Sequence, residues 1–363
     1  MKRIYFTVTN DLTYDQRMNR ICRTLAENAY DVVLVGRRLP YSRPLRKEPY
    51  RQKRLQCFFK KGKWFYAEYN FRLFLYLFFR RMDAICAIDL DTILPCLYIS
   101  KWKKIPRIYD AHELFTELKE VVTRPAVRRQ WEKIERSAVP QFRLGYTVGD
   151  GIATEFNRRY GVRYETIRNI SRLRPLDPGQ PRERFILYQG AVNEGRAFEY
   201  VIPAWKQIDC KLVICGDGNF MPQLKELIRE NGLVDQVELK GMLLPDELWE
   251  TATRALLGIA LWENEGLNQY LTLPNKLFDN IHAGIPQVTM NFPEFRKINE
   301  QFDVAVLIDT PLPQLIADTI NNLLCDDVLY RRLQENCFKA RKELNWQQEE
   351  KKLLSFYKTV FPS

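Results

Sequence analysis

Two residues of opposite charge stand three apart in LTLPNKLFDNIHAG (residues 271–284): Lys276 and Asp279. Pro274 is a favoured first-turn residue, so the helix starts near it and Lys276 falls in its first turn. A cation there is unfavourable to the helix itself. It becomes useful if an anion such as a diphosphate binds at the same end. Asp279 follows near Pro274 and Asn275 on the helix wheel, where a carboxylate could accept hydrogen bonds from ribose hydroxyls. The alternative is a solvated Lys/Asp pair on a surface helix.

A second candidate is the run Gln189-Gly190-Ala191-Val192-Asn193-Glu194-Gly195-Arg196, which ends a strand and opens a helix. Its glycines allow close backbone approach, and the helix start offers N–H groups to an anion. Arg196 could add a two-pronged phosphate contact. A solvent-facing turn is the competing reading. CGDG (215–218) is another strand-end turn, read here as a plain one, and no GxxxxGK[ST] occurs, which argues against an ATPase. The chain holds two histidines. His112 sits among acids in Asp110-Ala111-His112-Glu113 at a strand end and reads as functional. His282, inside LFDNIHAG, reads as a packing residue.

The elements that must carry these residues follow from periodicity. KRIYFTV, a polar loop, the amphipathic stretch RMNRICRTLAENA and DVVLVGR make a β-loop-α-β opening, and KKIPRIYD and RLGYTVGD are further buried strands. Short apolar strands separated by helices indicate a parallel α/β sheet. Residues 40–65 are dense in Lys, Arg, aromatics and Pro and read as an excursion or irregular β-hairpin. The segment SRLRPLDPGQPRER (171–184) is the best linker. After it the strand–helix alternation restarts with RFILYQG, KLVICGDG, QVELKG, ALLGIALW and PQVTM. In open parallel sheets ligands bind at the carboxyl ends of strands, where all these candidate loops lie.

The chain of 363 residues suits two domains of ordinary globular composition. Its net charge of +11 is unevenly spread: residues 1–173 carry +17 and the remainder −6. The basic half could meet nucleic acid, an anionic membrane surface or a phosphorylated ligand. The eight cysteines form no CxxC pair, so a Cys/His zinc site is disfavoured and a reducing compartment is expected. No secretory signal stands at the start. FRLFLYLFFRR places only seven residues between Arg72 and Arg80, far short of the ~20 that span a bilayer. It is either a core helix or an interfacial membrane patch beside the basic 43–63 region.

In their order, NDLTYDQRMNRICRTLAENAYDVVLVGR, YDAHELFTE, LYQGAVNEGR, VICGDG and above all EGLNQYLTLPNKLFDNIHAGIPQV resemble the retaining family-4, or group 1, glycosyltransferases of the GT-B fold. The resemblance runs along most of the chain. It implies two Rossmann-like parallel-sheet domains facing a central cleft: an acceptor-side domain over 1–172, a nucleotide-sugar domain over 173–340, and a C-terminal helix (341–363) that returns to the first domain. It implies that Arg196 and Lys276 neutralise the diphosphate and that Asp279 holds the ribose. Gly190 would let the backbone approach, with Asn275 on the donor side and Glu265 and Gly266 near the donor sugar. His112 would contact that sugar near the reacting carbon, and Asp15 and Arg17 would line the acceptor side.

The implied reaction moves a sugar, with retention, from a nucleotide diphosphate sugar to a hydroxyl of a saccharide or lipid-linked acceptor. It implies no cofactor and no metal: Asp89-Leu90-Asp91 has the spacing of a metal-binding DxD but lies in the first half. The implied place is the cytoplasm, with peripheral attachment to the inner membrane face as an option, and nucleic acid is not expected as a partner. One departure stands out. The family's E-x(7)-E has Asp279 at its second position here and Leu271 at its first, so either Glu265 is displaced or that role is absent. Competing readings are an epimerase of the same fold, a sugar-nucleotide-binding protein without catalysis and, more distantly, a basic nucleic-acid-binding protein.

Overall fold

The structure is a computed structural model that describes residues 1–13 and 15–361. The chain divides into two compact units. One joins Met1–Arg168 to the chain from Glu349 onward, and the other is Asn169–Gln348. The changeovers thus follow Arg168 and Gln348 rather than positions 172 and 340. Of the 341–363 segment, Pro362 and Ser363 lie outside the described residues.

The first unit is built on seven strands: β1 (Arg3–Thr7), β2 (Asp31–Arg38), β3 (Arg51–Gln56), β4 (Ala84–Ile88), β5 (Arg107–Ala111), β6 (Leu144–Thr147) and β7 (Glu165–Thr166). They pair in parallel in the order β3-β2-β1-β4-β5-β6-β7. Every residue of β4 (AICAI) is buried, as expected of a strand covered on both faces. Helix α1 (Gln16–Glu27) buries Met18, Ile21, Cys22 and Leu25, one stripe of the 3.6-residue period. The Asp15 carboxylate accepts from the Met18 N–H at 3.0 Å and caps it.

The segment expected as an excursion or hairpin instead supplies an edge strand: β3 runs parallel to β2, with Val33 opposite Arg51. Its exposed Arg51 and Lys53 leave a charged edge that discourages pairing with another chain. Helix α2 (Gly62–Phe78) follows. It buries Phe65, Tyr69, Leu73 and Leu77 and lies beside α3 (Ile93–Lys103), so one face of FRLFLYLFFRR is core. The C-terminal helix Trp346–Val360 completes this unit from far along the chain. Tyr357 is fully buried there, its ring 6.1 Å from Phe6 and 6.4 Å from Tyr146.

The second unit has six parallel strands: β8 (Phe185–Gln189), β9 (Lys211–Cys215), β10 (Val237–Gly241), β11 (Leu257–Ala260), β12 (Gln287–Met290) and β13 (Ala305–Ile308). Their order is β10-β9-β8-β11-β12-β13. The linker 171–184 contains no helix or strand. Helix α4 (Phe198–Ala204) follows the loop after β8, and α5 (Asn275–His282) precedes β12. Trp205, Phe198 and Trp262 are fully buried in a core that spans the unit. In each sheet the winding reverses beside the first strand, between β1 and β4 and between β8 and β11. Strand-end loops splay apart at such a point and leave room for a ligand.

Candidate functional site

In the second unit the loop after β8 opens at Gly190, whose φ of +117° suits glycine. Two neighbours fix it. The Gly190 N–H donates to the Cys215 carbonyl at 2.9 Å, and the Val192 N–H to the Asp217 carbonyl at 3.0 Å. A Cβ at Gly216 would stand 1.8 Å from the Gly190 carbonyl oxygen. CGDG is therefore more than a turn: its glycines let the loop after β9 lie directly against the loop after β8 and brace it.

Lys276, the second residue of α5, comes to the open side of Gly190. A Cβ at Gly190 would lie 3.5 Å from Lys276 Cε and 3.8 Å from Nζ. The Lys276 side chain is buried, and its Nζ has no hydrogen-bond partner. It rests between two rings, 3.9 Å from the centre of Tyr188 and 4.6 Å from that of Trp262. Cation–π contact in a desolvated place is worth about 2 kcal/mol. Uncompensated burial of an ammonium costs several kcal/mol, so the rings do not offset it. Burial, and secondarily the nearby Arg196 guanidinium, push the Lys276 pKa well below its ordinary value. A dianionic group at this spot would reverse that balance.

Arg196 lies on the same side, its guanidinium 5.6 Å from the Trp262 ring. The loops after β8 and β11 are joined where the Glu263 N–H donates to the Gly195 carbonyl at 3.2 Å. Glu265 lies against that turn: a Cβ at Gly195 would be 3.1 Å from its Oε2. Gly266 (φ +150°) precedes a short helix, and a Cβ there would meet nothing within 4 Å. Asn275 opens α5, with Pro274 as its N-cap. Asp279, one turn on, accepts from Ser171 Oγ at 2.9 Å. Beneath it, Gln189 Nε2 donates to Asn280 Oδ1 at 2.9 Å, and Asn280 Nδ2 donates to Gln287 Oε1 at 3.0 Å, a buried relay that ties α5 to β8 and β12. His282 is buried as a packing residue, its Nε2 2.7 Å from the Leu344 carbonyl.

The first unit holds a separate polar cluster around His112, just beyond β5. His112 Nε2 is 3.2 Å from Asp110 Oδ2 and its Nδ1 3.4 Å from Asp89 Oδ2. The His112 backbone N–H donates to Asp89 Oδ1 at 2.8 Å. Asp89 holds a left-handed φ of +54° to make these contacts. Burial lowers the His112 pKa, but Asp89 and Asp110 outweigh it and hold it at about 9. Burial raises Asp89 to about 6 against the pull of His112. Asp91 is also raised by burial to about 6 although Thr9 donates to it at 2.5 Å. Asp110 is fully buried, yet Arg17 and His112 keep its pKa below the ordinary carboxylate value.

Lys276, Arg196, Gly190 and Glu265 thus come to one strand-end region of the second unit, with Asp279 farther along α5. Arg17 goes elsewhere than expected. It is 3% exposed and cannot line an acceptor path: its Nη2 donates to Asp110 Oδ1 at 2.9 Å and its Nη1 to the Ile167 carbonyl at 3.0 Å. Asp15 serves as the cap of α1. Tyr188, Trp262 and Ser171 escaped sequence reasoning. Trp262 ends the apolar run ALLGIALW, and an indole at a strand end was the available signal. Among the described residues no group of three or more His, Cys, Asp or Glu is arranged to hold a metal ion.

Residues 177–340 match the family model described as glycosyl transferases group 1. Solved structures match over the whole chain. The sucrose-phosphate synthase of Thermosynechococcus elongatus superposes with a TM-score of 0.80 at 15% identity, over 99% of each chain. HepE of Anabaena in complex with UDP-glucose gives 0.76 at 12%, over 99% of this chain and 100% of its own. WaaG, a glycosyltransferase involved in lipopolysaccharide biosynthesis, gives 0.72 at 14%, over 99% and 100%. At these identities the likeness is one of fold, and the fold is GT-B. No curated protein sequence matches significantly.

Proposed function

Because residues 177–340 carry a glycosyl transferases group 1 domain, we propose that this chain transfers a sugar from a nucleotide diphosphate sugar to a hydroxyl acceptor. The observation that carries the reading is Lys276: a buried ammonium without a hydrogen-bond partner, beside a glycine that leaves its front open. Lys276 and Arg196 bind the diphosphate and neutralise the charge that builds on it as the bond to the sugar breaks. Fixed charges in a dry site are worth several kcal/mol of barrier for such a leaving group. Asp279, oriented by Ser171, takes the ribose hydroxyls. Glu265 and Gly266 serve the donor sugar.

The anomeric carbon gains the acceptor oxygen and loses the diphosphate oxygen, and the acceptor proton leaves with the diphosphate or solvent. The configuration is retained and no metal or other cofactor takes part. His112, which the family resemblance assigns to the donor sugar, is held protonated by Asp89 and Asp110. Its two ring nitrogens face Asp110 and Asp89, so what it offers is positive charge rather than a free N–H. The acceptor is a saccharide or lipid-linked saccharide. The eight free cysteines suit a reducing compartment, which is the cytoplasm. HepE was solved with UDP-glucose, so uridine nucleotides are the first to try.

The test is thermal stabilisation by UDP, GDP, ADP and their sugars, followed by release of nucleotide in the presence of saccharide acceptors. Stabilisation by one nucleotide that Lys276→Ala abolishes supports the reading. No response to any nucleotide overturns it.

A further inference from the structure

Helix α2 buries one face and leaves the opposite one unusually apolar. Trp64, Phe71 and Phe79 are each more than half exposed, and Leu75 lies between the last two. Their spacing of seven, four and four residues keeps them on one stripe. On the neighbouring α3, Tyr98 and Trp102 are also more than half exposed and one turn apart. The two stripes are continuous: Phe78 lies 4.8 Å from Trp102 and 5.2 Å from Phe79. At the other end Phe59 stacks on Trp64 at 6.2 Å. Scattered exposed apolar residues are ordinary, but a joined aromatic stripe across two helices marks a binding surface.

The charges around it share a sign. Lys60, Lys61 and Lys63 flank one end, and Arg80, Arg81 and Lys101 the other, all exposed. The acids of this segment are used internally. Glu68 accepts from the Phe58 and Phe59 N–H groups and from Arg72 Nε at 2.7 Å. Asp83 accepts from the Arg3 N–H at 2.7 Å. Asp91 accepts from Thr9, and Asp89 holds His112. The surface is thus aromatic along its centre and cationic at both ends.

We propose that this α2–α3 face seats the protein on an anionic lipid bilayer. Tryptophan and tyrosine suit the boundary between head groups and hydrocarbon, and the Lys/Arg clusters suit phosphate. No helix among the described residues is long and apolar enough to cross a membrane, so the contact lies in the plane of the surface. A second copy of the chain is a poorer occupant, because a symmetric pairing brings the same cationic ends near each other. The proposal stands apart from the transferase reading: a chain that transferred no sugar would still bind lipid by this face.

The experiment is co-sedimentation of the full chain with vesicles of phosphatidylcholine alone or mixed with phosphatidylglycerol, without donor. The wild type binds the mixed vesicles at low salt. Phe71→Ser/Phe79→Ser/Trp102→Ser weakens binding by about tenfold or more. Arg80→Gln/Arg81→Gln/Lys101→Gln weakens it and flattens its salt dependence. Both variants keep the wild-type circular dichroism spectrum and melting transition. Absence of wild-type binding to mixed vesicles overturns the proposal, as does equal binding by the folded aromatic variant. A wild-type dimer that the aromatic changes dissolve, without any vesicle binding, also overturns it and makes the face a self-association surface.

Discussion

The Lys276 ammonium, at the start of α5, sits 3.9 Å from the centre of the Tyr188 ring, faces the glycine-braced loop after β8, and donates no hydrogen bond. The free protein is therefore destabilised at the place proposed to bind the diphosphate. Lys276→Met removes the buried charge and keeps the volume. It should raise stability by about 1–3 kcal/mol in urea unfolding, while nucleotide-dependent stabilisation disappears. A variant less stable than wild type would contradict this account of the site.

Binding should also move a proton. Burial and Arg196 lower the Lys276 pKa in the free protein, and a bound diphosphate raises it again. At pH values between the lowered pKa of the free protein and the raised pKa of the complex, nucleotide binding is accompanied by proton uptake. Calorimetry in two buffers of different ionisation enthalpy measures this directly, and Lys276→Met should abolish it.

Gly190 and Gly266 both adopt φ values that disfavour side chains, but their surroundings differ. Alanine at Gly190 points at Lys276, whereas alanine at Gly266 meets open space. Gly190→Ala should cost about 1–2 kcal/mol through backbone strain and weaken nucleotide binding at least tenfold. Gly266→Ala carries the strain alone, so its nucleotide affinity falls less. Melting curves with and without nucleotide separate the two effects.

Arg17 and Asp110 form an ion pair with side chains 3% and 0% exposed. Arg17→Met leaves Asp110 buried with only His112 to balance it and should cost about 3–5 kcal/mol. Arg17→Met/Asp110→Asn should recover part of that loss, a coupling that a double-mutant cycle in urea measures. Additive losses would mean that the pair does not act as one unit.

His112 makes stability fall as pH rises. A histidine held at about 9 in the folded state adds stability that is complete below about 6.5 and is lost as pH climbs through 9. Asp89 and Asp91, raised to about 6, act in the same sense at lower pH: what their protonated forms contribute is complete below about 4 and gone above 6. Between about pH 6.5 and 9.5 the wild type should therefore lose up to about 3 kcal/mol that His112→Gln does not. Equal slopes of Tm against pH would refute the ion-pair assignment.

The strand-end loops were legible because buried parallel strands announce themselves as short apolar runs, and the turns after them carry Gly, Asn and charge. Lys276 stood out because a cation at a helix start needs a reason. Its surroundings did not stand out, because Tyr188 and Trp262 arrive from different strands and are ordinary core residues by type. Ser171 lay in a segment read only as a linker. Arg17 is expected on the acceptor side from the resemblance alone, and the sequence around it carries no sign of burial. Its partner Asp110 lies at the end of β5, and nothing local in either segment announces the pairing. The 40–65 segment departs from the expected excursion because an edge strand can be basic, one side of its backbone being unpaired.

The first unit is closed by a helix encoded after the whole of the second. Tyr357 packs there, fully buried, beside Phe6 and Tyr146. During synthesis the usual order of folding, amino-terminal domain first, is therefore reversed at the last step. The second unit can complete its core before the helix that closes the first has left the ribosome.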